Sequence, residues 1–596
     1  MGTSVPANDS PHDWHRKTWV YASVYAPLSC CSGVTVWPAL TGAVTPKCSR
    51  CKFGYRPISN MHAPRAPCAT AGFVERAILA CPRPFCAASH VQSTPVPLNL
   101  RPAAAAGILR QLIQPRSSIR PQVLVAERAD VAETIQDQKA SRPLKVVVAG
   151  AGIGGLVLAV GLLKKGIQVE VYERDLTAIR GEGKYRGPIQ IQSNALAALE
   201  AIDQQTADEV LAAGCITGDR INGLCDGVTG DWYIKFDTFH PAVDRGLPVT
   251  RVISRMRLQE ILIDAVARLG GPDVIRNGCR VLGYSERPDP VTGVQQVVVD
   301  LEDGSSTSGD VLVGADGIWS KIRKNLVGDT QPNYSGYTCY TGISDFTPAD
   351  IDIVGYRVFL GNGKYFVSSD VGGGKMQWYG FHKEAANGTD AEGTRKQRLL
   401  KIFGHWNDNV VDLIKATPEE DILRRDIYDR PPIFVWQKGH VALLGDSAHA
   451  MQPNLGQGGC MAIEDAYQLA ADLADAMEQQ AAGNADQLDV NAVLKAYQNE
   501  RMMRASTIHG MAGMAAIMAS TYKAYFGEGL GPLSWIQKYQ IPHPGRVAGR
   551  IAMTLTMPAV LQWVLGGNTD KIEKARVGSC RIEDKPKVMT VRLMWS

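Results

Sequence analysis

Between Lys145 and Glu173 the pattern of apolar and polar positions predicts a strand, a turn, a helix and a second strand. Val146 to Leu163 is a run of 18 residues without a polar side chain, which approaches the length of a bilayer span. Five glycines inside it, Gly150, Gly152, Gly154, Gly155 and Gly161, argue against a membrane helix, since each costs a helix about 1 kcal/mol relative to Ala. A better partition is a buried parallel strand over Lys145–Ala149, a tight turn, a helix from about Ile153 to Lys165 and a strand over Gln168–Glu173.

Two further apolar strands each end in an acidic turn. Gly309 to Gly314 leads into Ala315-Asp316-Gly317, with Ser320 and Arg323 on the helix that follows. Gly439 to Leu444 leads into Gly445-Asp446, then to Pro453 and Gly456-Gln457-Gly458-Gly459 ahead of a helix over Cys460–Met477. Between them Arg357–Leu360, Tyr365–Ser368 and Lys375–His382 have strand character and read as an antiparallel sheet.

Composition changes the picture at the N-terminal side. Residues 1–120 hold 13 Lys+Arg against 3 Asp+Glu, although the whole chain of 596 residues is only +4. This segment also holds seven of the 13 cysteines. Acid-poor and rich in Ala, Ser, Pro and Arg, residues 1–140 read as a transit peptide with a flexible leader. Cys48-Ser49-Arg50-Cys51 has half of a zinc knuckle, but its nearest partners, Cys81 and Cys86, have the wrong spacing, so no metal site is expected. The near-neutral body makes nucleic acid a poor partner.

The turn Gly150-Ala151-Gly152-Ile153-Gly154-Gly155 is a G-x-G-x-x-G at a strand-to-helix junction. A missing Cβ permits the turn at Gly150, lets a pyrophosphate approach the backbone at Gly152 and lets helix and strand pack closely at Gly155. Glu173, about 20 residues on, is placed to accept hydrogen bonds from a ribose. Nicotinamide and flavin dinucleotides share this fingerprint. His449 and Cys460 read as packing residues, Arg255 as either a ligand or a helix-surface cation, and Asp316 as either a ligand or a helix cap. No nucleophile elbow, H-E-x-x-H or metal set is visible, which would be odd for a hydrolase and agrees with cofactor-borne chemistry that needs no catalytic side chain.

The three motifs, in this order, resemble the flavin-dependent aromatic-hydroxylase class of monooxygenases, and more narrowly the zeaxanthin epoxidase family of plants and algae. The narrower likeness rests on Gly181–Asn194, Gly214–Gly223 and Tyr334–Gly342, and similarity runs from about Lys145 to Cys580. It implies an α/β fold in which an FAD-binding, Rossmann-like parallel sheet carries an inserted antiparallel substrate sheet, over about 216–250 and 330–425, within a core of residues 141–500. A helical, membrane-associating segment, residues 501–596, would follow.

Carried over by resemblance, Gly150, Gly152, Gly154, Gly155, Glu173 and Arg174 hold the pyrophosphate and adenosine side of FAD. Arg186, Gln192 and Arg255 line the cofactor, as do Asp316 and Gly317, Gly445 and Asp446, and the loop Pro453, Gly456, Gln457, Gly458 and Gly459. Tyr365, Trp378, Tyr379 and Phe381 form an apolar wall for a carotenoid, or else plain core. The resemblance further implies O2 as oxidant, NADPH as electron donor, directly or through ferredoxin, and a C4a-hydroperoxide of the flavin that epoxidises zeaxanthin to antheraxanthin and violaxanthin. Hydroxylation of an aromatic substrate and non-catalytic pigment binding are the alternatives.

The expected location is the plastid, peripheral on the thylakoid or envelope. Thr521 to Arg576 supports attachment with 7 Lys+Arg, 3 Asp+Glu and interleaved aromatics. The apolar stretches Gly510–Ala519 and Ile551–Leu565 read as too short or interrupted to span a bilayer. Plant relatives continue into a forkhead-associated domain, and this sequence, ending soon after Cys580–Lys585, is expected to lack it.

Overall fold

A computed structural model describes residues 143–177, 187–484, 488–567 and 572. The leader, its cysteines and Arg186 lie outside these residues. Six strands form a mainly parallel sheet in the order Gln437–Lys438, Val441–Leu443, Val311–Gly314, Lys145–Ala149, Gln168–Glu173, Ile275–Asn277. Its centre is Lys145–Ala149, paired in parallel with Gln168–Glu173 on one side and Val311–Gly314 on the other. All three strands that end in predicted motifs therefore deliver their turns to one edge of one sheet.

The helix Ile153–Lys164 packs against the helices Gly458–Ala481 and Arg255–Gly270, and Gly154 to Leu162 are all buried. Being covered on every side, it needs no polar face, which explains the membrane-like run in the sequence.

A seven-stranded sheet lies between the motifs in the chain. Its order is Leu423–Asp429, Asn333–Ser344, Met376–Lys383, Lys364–Asp370, Val354–Gly361, Ile221–Asp226, Trp232–Phe236. Neighbours are antiparallel except for Val354–Gly361 beside Ile221–Asp226. Successive side chains point to opposite faces. Phe359, Phe366, Trp378 and Tyr340 pack on one face with Phe403, Trp406, Leu413 and Ile414 of the helical layer. Leu360, Tyr365 and Phe381 lie on the other, with Tyr233, Ala519, Tyr522 and Met553.

Two expectations at the C-terminal side need correction. A boundary after residue 500 would cut the long helix Val490–Ser520, whose middle residues Arg501 and Arg504 are ion-paired to Glu464 and Asp465 of the core. The Ile551–Leu565 stretch is part of a longer outer helix, Pro544–Gly566, whose 23 residues are long and apolar enough to cross a membrane by length and composition.

Candidate active site

Gly150 has φ +109°, a conformation that side-chain-bearing residues rarely adopt, and a Cβ there would stand 2.5 Å from the Ala315 carbonyl oxygen. A Cβ on Gly155 would stand 2.1 Å from the Gly150 carbonyl oxygen, so helix and strand meet where only hydrogen fits. At Gly152, by contrast, a Cβ would meet nothing within 4 Å. That open space is the cradle a dinucleotide pyrophosphate requires, above the N-terminus of a 12-residue helix. Glu173 accepts hydrogen bonds from the Ala151 amide at 2.7 Å and the Asp175 amide at 2.9 Å, which aim its carboxylate along the turn.

These residues line one end of a cavity of about 1490 Å³. Gly150, Gly152, Gly154, Glu173 and Arg174 are at its wall, together with Gln192, Arg255, Asp316 and Gly317. Gly445, Asp446, Pro453, Gly456, Gly458 and Gly459 close the same end. Gly155 lies behind the wall as the packing contact described above. The seven-stranded sheet contributes Tyr365, Tyr379 and Phe381, and the first and last of these rings stack at 4.3 Å.

Gln457 is buried behind the loop it belongs to. Its amide donates to Gln192 Oε1 at 2.5 Å, while Gln192 Nε2 donates to the Leu455 carbonyl at 2.8 Å. It therefore shapes the loop Pro453–Gly459 from the protein side and does not line the cavity. Trp378 is also not a wall residue. Its strand turns it to the opposite face, where Nε1 donates to Thr417 Oγ1 at 2.8 Å and the ring stacks on Phe366. Alternation along one strand separates it from Tyr379 and Phe381.

Asp316 accepts from the amides of Lys321 at 2.6 Å and Ile322 at 3.3 Å, so it caps the following helix while facing the cavity. Burial pushes its carboxyl up, against the hydrogen bonds from Ser320, Lys321 and Ile322. Arg255 donates to the Gly187 carbonyl at 3.1 Å and so ties the wall to the loop after the second strand. Arg323 is buried, and its guanidinium donates to the carbonyls of Ser447 and Ala448, joining the second motif to the third. Burial lowers its pKa to about 10.

Cys460 is fully buried, accepts from the Gln192 amide at 3.4 Å, and is pushed up to about 12 by that burial, which makes it inert. His449 is more than packing. Its Nε2 lies 2.6 Å from Asp465 Oδ2 within a buried set of charges: Asp465 meets Arg501 at 2.7 Å, and Glu464 meets Arg501 at 2.6 Å and Arg504 at 2.8 Å. Asp465 also accepts from the Gly445 amide at 3.1 Å, which fixes the third motif from behind. The sequence offered one signal for this network, an adjacent Glu-Asp inside the predicted 460–477 helix, facing Arg501 and Arg504 one helical turn apart.

The match to an FAD binding domain covers residues 143–338 and 433–510. The gap between the two parts contains most of the seven-stranded sheet. Zeaxanthin epoxidase, chloroplastic, of Prunus armeniaca is 62% identical over 444 residues, 74% of this chain and 65% of the relative. The Capsicum annuum protein of the same name is 61% identical, over 77% of this chain and 67% of the relative. The chain thus spans about two thirds of the length of these relatives. Among solved structures, Klebsiella pneumoniae HpxO complexed with FAD and uric acid matches with a TM-score of 0.56 and 26% identity, over 72% of this chain and 98% of that one. A salicylate hydroxylase substrate complex shares the fold, with a TM-score of 0.55 at 19% identity, covering 74% and 99%. The fingerprint cradle, the three converging turns and these likenesses together place the chain in the zeaxanthin epoxidase family, on an FAD-binding fold.

Proposed function

We propose that the protein is an FAD-dependent monooxygenase of the plastid that epoxidises the ring double bonds of zeaxanthin, giving antheraxanthin and then violaxanthin. The observation that carries this reading is one continuous cavity, which joins the dinucleotide cradle at Gly152 to the aromatic sheet face at Tyr365 and Phe381. When bound, FAD supplies the activation of O2 and the transfer of one oxygen atom to an electron-rich alkene.

The chain's own residues hold, orient and exclude water. Gly152 and the following helix N-terminus bind the pyrophosphate, Glu173 the adenosine ribose, and Asp446 the ribityl or pyrophosphate side, while Gln192 and Gln457 keep the 453–459 loop in place. Burial pushes the Tyr365 phenol far above its ordinary value, so it stays protonated and neutral against an apolar substrate. With Phe381 and Tyr379 it forms a dry wall, the condition an oxygen transfer of this kind needs.

NADPH is the electron source, directly or through ferredoxin. The carotenoid is reached from a membrane surface, to which the protein attaches peripherally. Support comes from exposed Trp535 and Tyr539, with the Lys538 ammonium 5.4 and 4.9 Å from their ring centres, a basic–aromatic grouping suited to a lipid interface.

The test is a visible spectrum of the purified protein, followed by zeaxanthin in lipid with O2 and NADPH, with and without ferredoxin and its reductase. Bound flavin and chromatographic appearance of mono- and di-epoxides are expected. A colourless protein that takes up no FAD, or flavin reoxidation stimulated by an acidic phenol and not by carotenoid, would overturn the reading.

A further inference from the structure

The cavity does not stop at the sheet. Its far end is walled by one face of the long helix, at positions 511, 514, 515, 518 and 519, and by one face of the outer helix, at positions 549, 552, 553, 556, 557 and 560. Both sets follow the three- and four-residue spacing of a single helical stripe. Five of these positions are methionines: Met511, Met514 and Met518 on one side, Met553 and Met557 on the other. None of these positions is acidic or basic, although Lys523, His543 and, on the outer helix, Arg546 line the cavity beside them.

This end is continuous with the sheet face, because Met553, Ala519 and Tyr522 share one apolar cluster with Tyr365, Phe381 and Leu360, and Met557 packs against it. The outer helix is fixed at both ends, to the long helix at one and to the strand Trp232–Phe236 at the other. Arg504 of the long helix donates to the Val564 carbonyl of the outer helix at 2.9 Å, and at the other end Tyr233 donates to the Arg546 carbonyl at 2.9 Å. The stripe on the long helix opens to solvent at Met514, 63% exposed, and at Met518, 39% exposed.

We propose that this methionine-lined sleeve holds the distal half of a long conjugated polyene while its near ring sits at the sheet face, and that the sleeve sets preference for full-length over shortened substrates. The inference rests on the epoxidase reading and deepens it. Three observations favour an elongated apolar occupant. The stripes on the two helices carry no charge, five of their side chains are unbranched thioethers that adapt to a rod-shaped, polarisable ligand, and a volume of about 1490 Å³ exceeds what a cofactor-sized pocket of roughly 300–1,000 Å³ needs. A compact aromatic acid would leave this end empty.

The experiment compares zeaxanthin with a half-length apocarotenoid that keeps one hydroxylated ring, using FAD-loaded wild type, Met514→Glu, Met557→Gln and Met557→Leu. Met514 is largely exposed, so its variant folds irrespective of what the sleeve holds. For Met514→Glu and Met557→Gln the zeaxanthin KM is expected to rise about ten-fold or more with kcat little changed, while the half-length substrate keeps its wild-type KM and Met557→Leu restores zeaxanthin binding. Equal effects on both substrates, or none on either, would overturn the sleeve. If wild type converts neither substrate, the epoxidase reading fails, and the sleeve is judged by binding alone. Induced circular dichroism of the bound polyene, lost in Met557→Gln, supports it, and dichroism that is absent or unchanged refutes it.

Discussion

Asn454 Nδ2 donates a hydrogen bond to Tyr365 Oη at 3.0 Å, linking the glycine-rich loop at one end of the cavity to the aromatic face of the seven-stranded sheet. The two halves of the site come from chain segments 89 residues apart and meet at this contact. Tyr365→Phe removes the acceptor and leaves the ring in its stack with Phe381. We expect a stability loss of about 1 kcal/mol by thermal unfolding, unchanged FAD content, and a several-fold rise in KM for carotenoid. Loss of FAD would show that the contact holds the cofactor loop itself.

Gly152 and Gly155 separate binding from folding. Gly152→Val projects into open space, so the melting temperature of the apoprotein stays put while FAD affinity falls at least about ten-fold, or 1.4 kcal/mol, as read by flavin absorbance after gel filtration. Gly155→Ala meets a backbone carbonyl that cannot retreat, and is expected to lower stability by about 1–3 kcal/mol. Cys460→Ser leaves FAD content unchanged.

The buried charges behind Gly445 give an acid limit to stability. Burial alone would raise the Asp465 carboxyl, but the facing His449 and Arg501 outweigh it and bring it down to about 2. A carboxylate held below its ordinary 3.8 stabilises the fold above about pH 4, and that contribution is lost as pH falls towards 2. Asp465→Asn should therefore flatten the pH dependence of unfolding in that window. Glu464→Gln, which leaves Arg504 without its carboxylate partner and Arg501 with Asp465 alone, should cost about 3–5 kcal/mol in denaturant titration.

Trp378 and Phe381 belong to different cores despite being three residues apart. Trp378→Phe loses one hydrogen bond to Thr417, about 1 kcal/mol of stability, and leaves carotenoid KM unchanged. Phe381→Ala faces the cavity and is expected to raise that KM by about ten-fold or more, measured with the same substrate in lipid.

Membrane attachment is tested at Trp535, Lys538 and Tyr539, and not by truncation, because removing the outer helix would strip the partner carbonyls from Arg504. Trp535→Ala with Lys538→Glu should weaken co-sedimentation with anionic vesicles by about ten-fold or more at low salt, with an unaltered melting temperature. Unchanged binding would assign attachment to another surface.

Much of the cofactor half was legible because its residues are consecutive: the Gly150–Gly155 turn, Glu173 ending its strand, and the two acidic turns each announce their geometry locally. The substrate half was less so. Tyr365, Tyr379 and Phe381 were separable from Trp378 only once strand register assigned faces, since aromatic content alone does not say which side of a sheet is filled. The Glu464–Asp465–Arg501–Arg504 network depends on the packing of two long helices, so its adjacent Glu-Asp names no partner by itself, and the sleeve depends on an outer helix that the chain reaches more than 100 residues after the last sheet strand.

The strand Met376–Lys383 stands between an interior sealed by Phe403 and Trp406 and the open cavity. In a saturation library, tolerance along it should alternate with a period of two. Trp378 and Gly380 would answer to whether the chain folds, and Gln377, Tyr379 and Phe381 to which molecules are accepted, so selection for a new pigment could rewrite every second position and leave the others untouched.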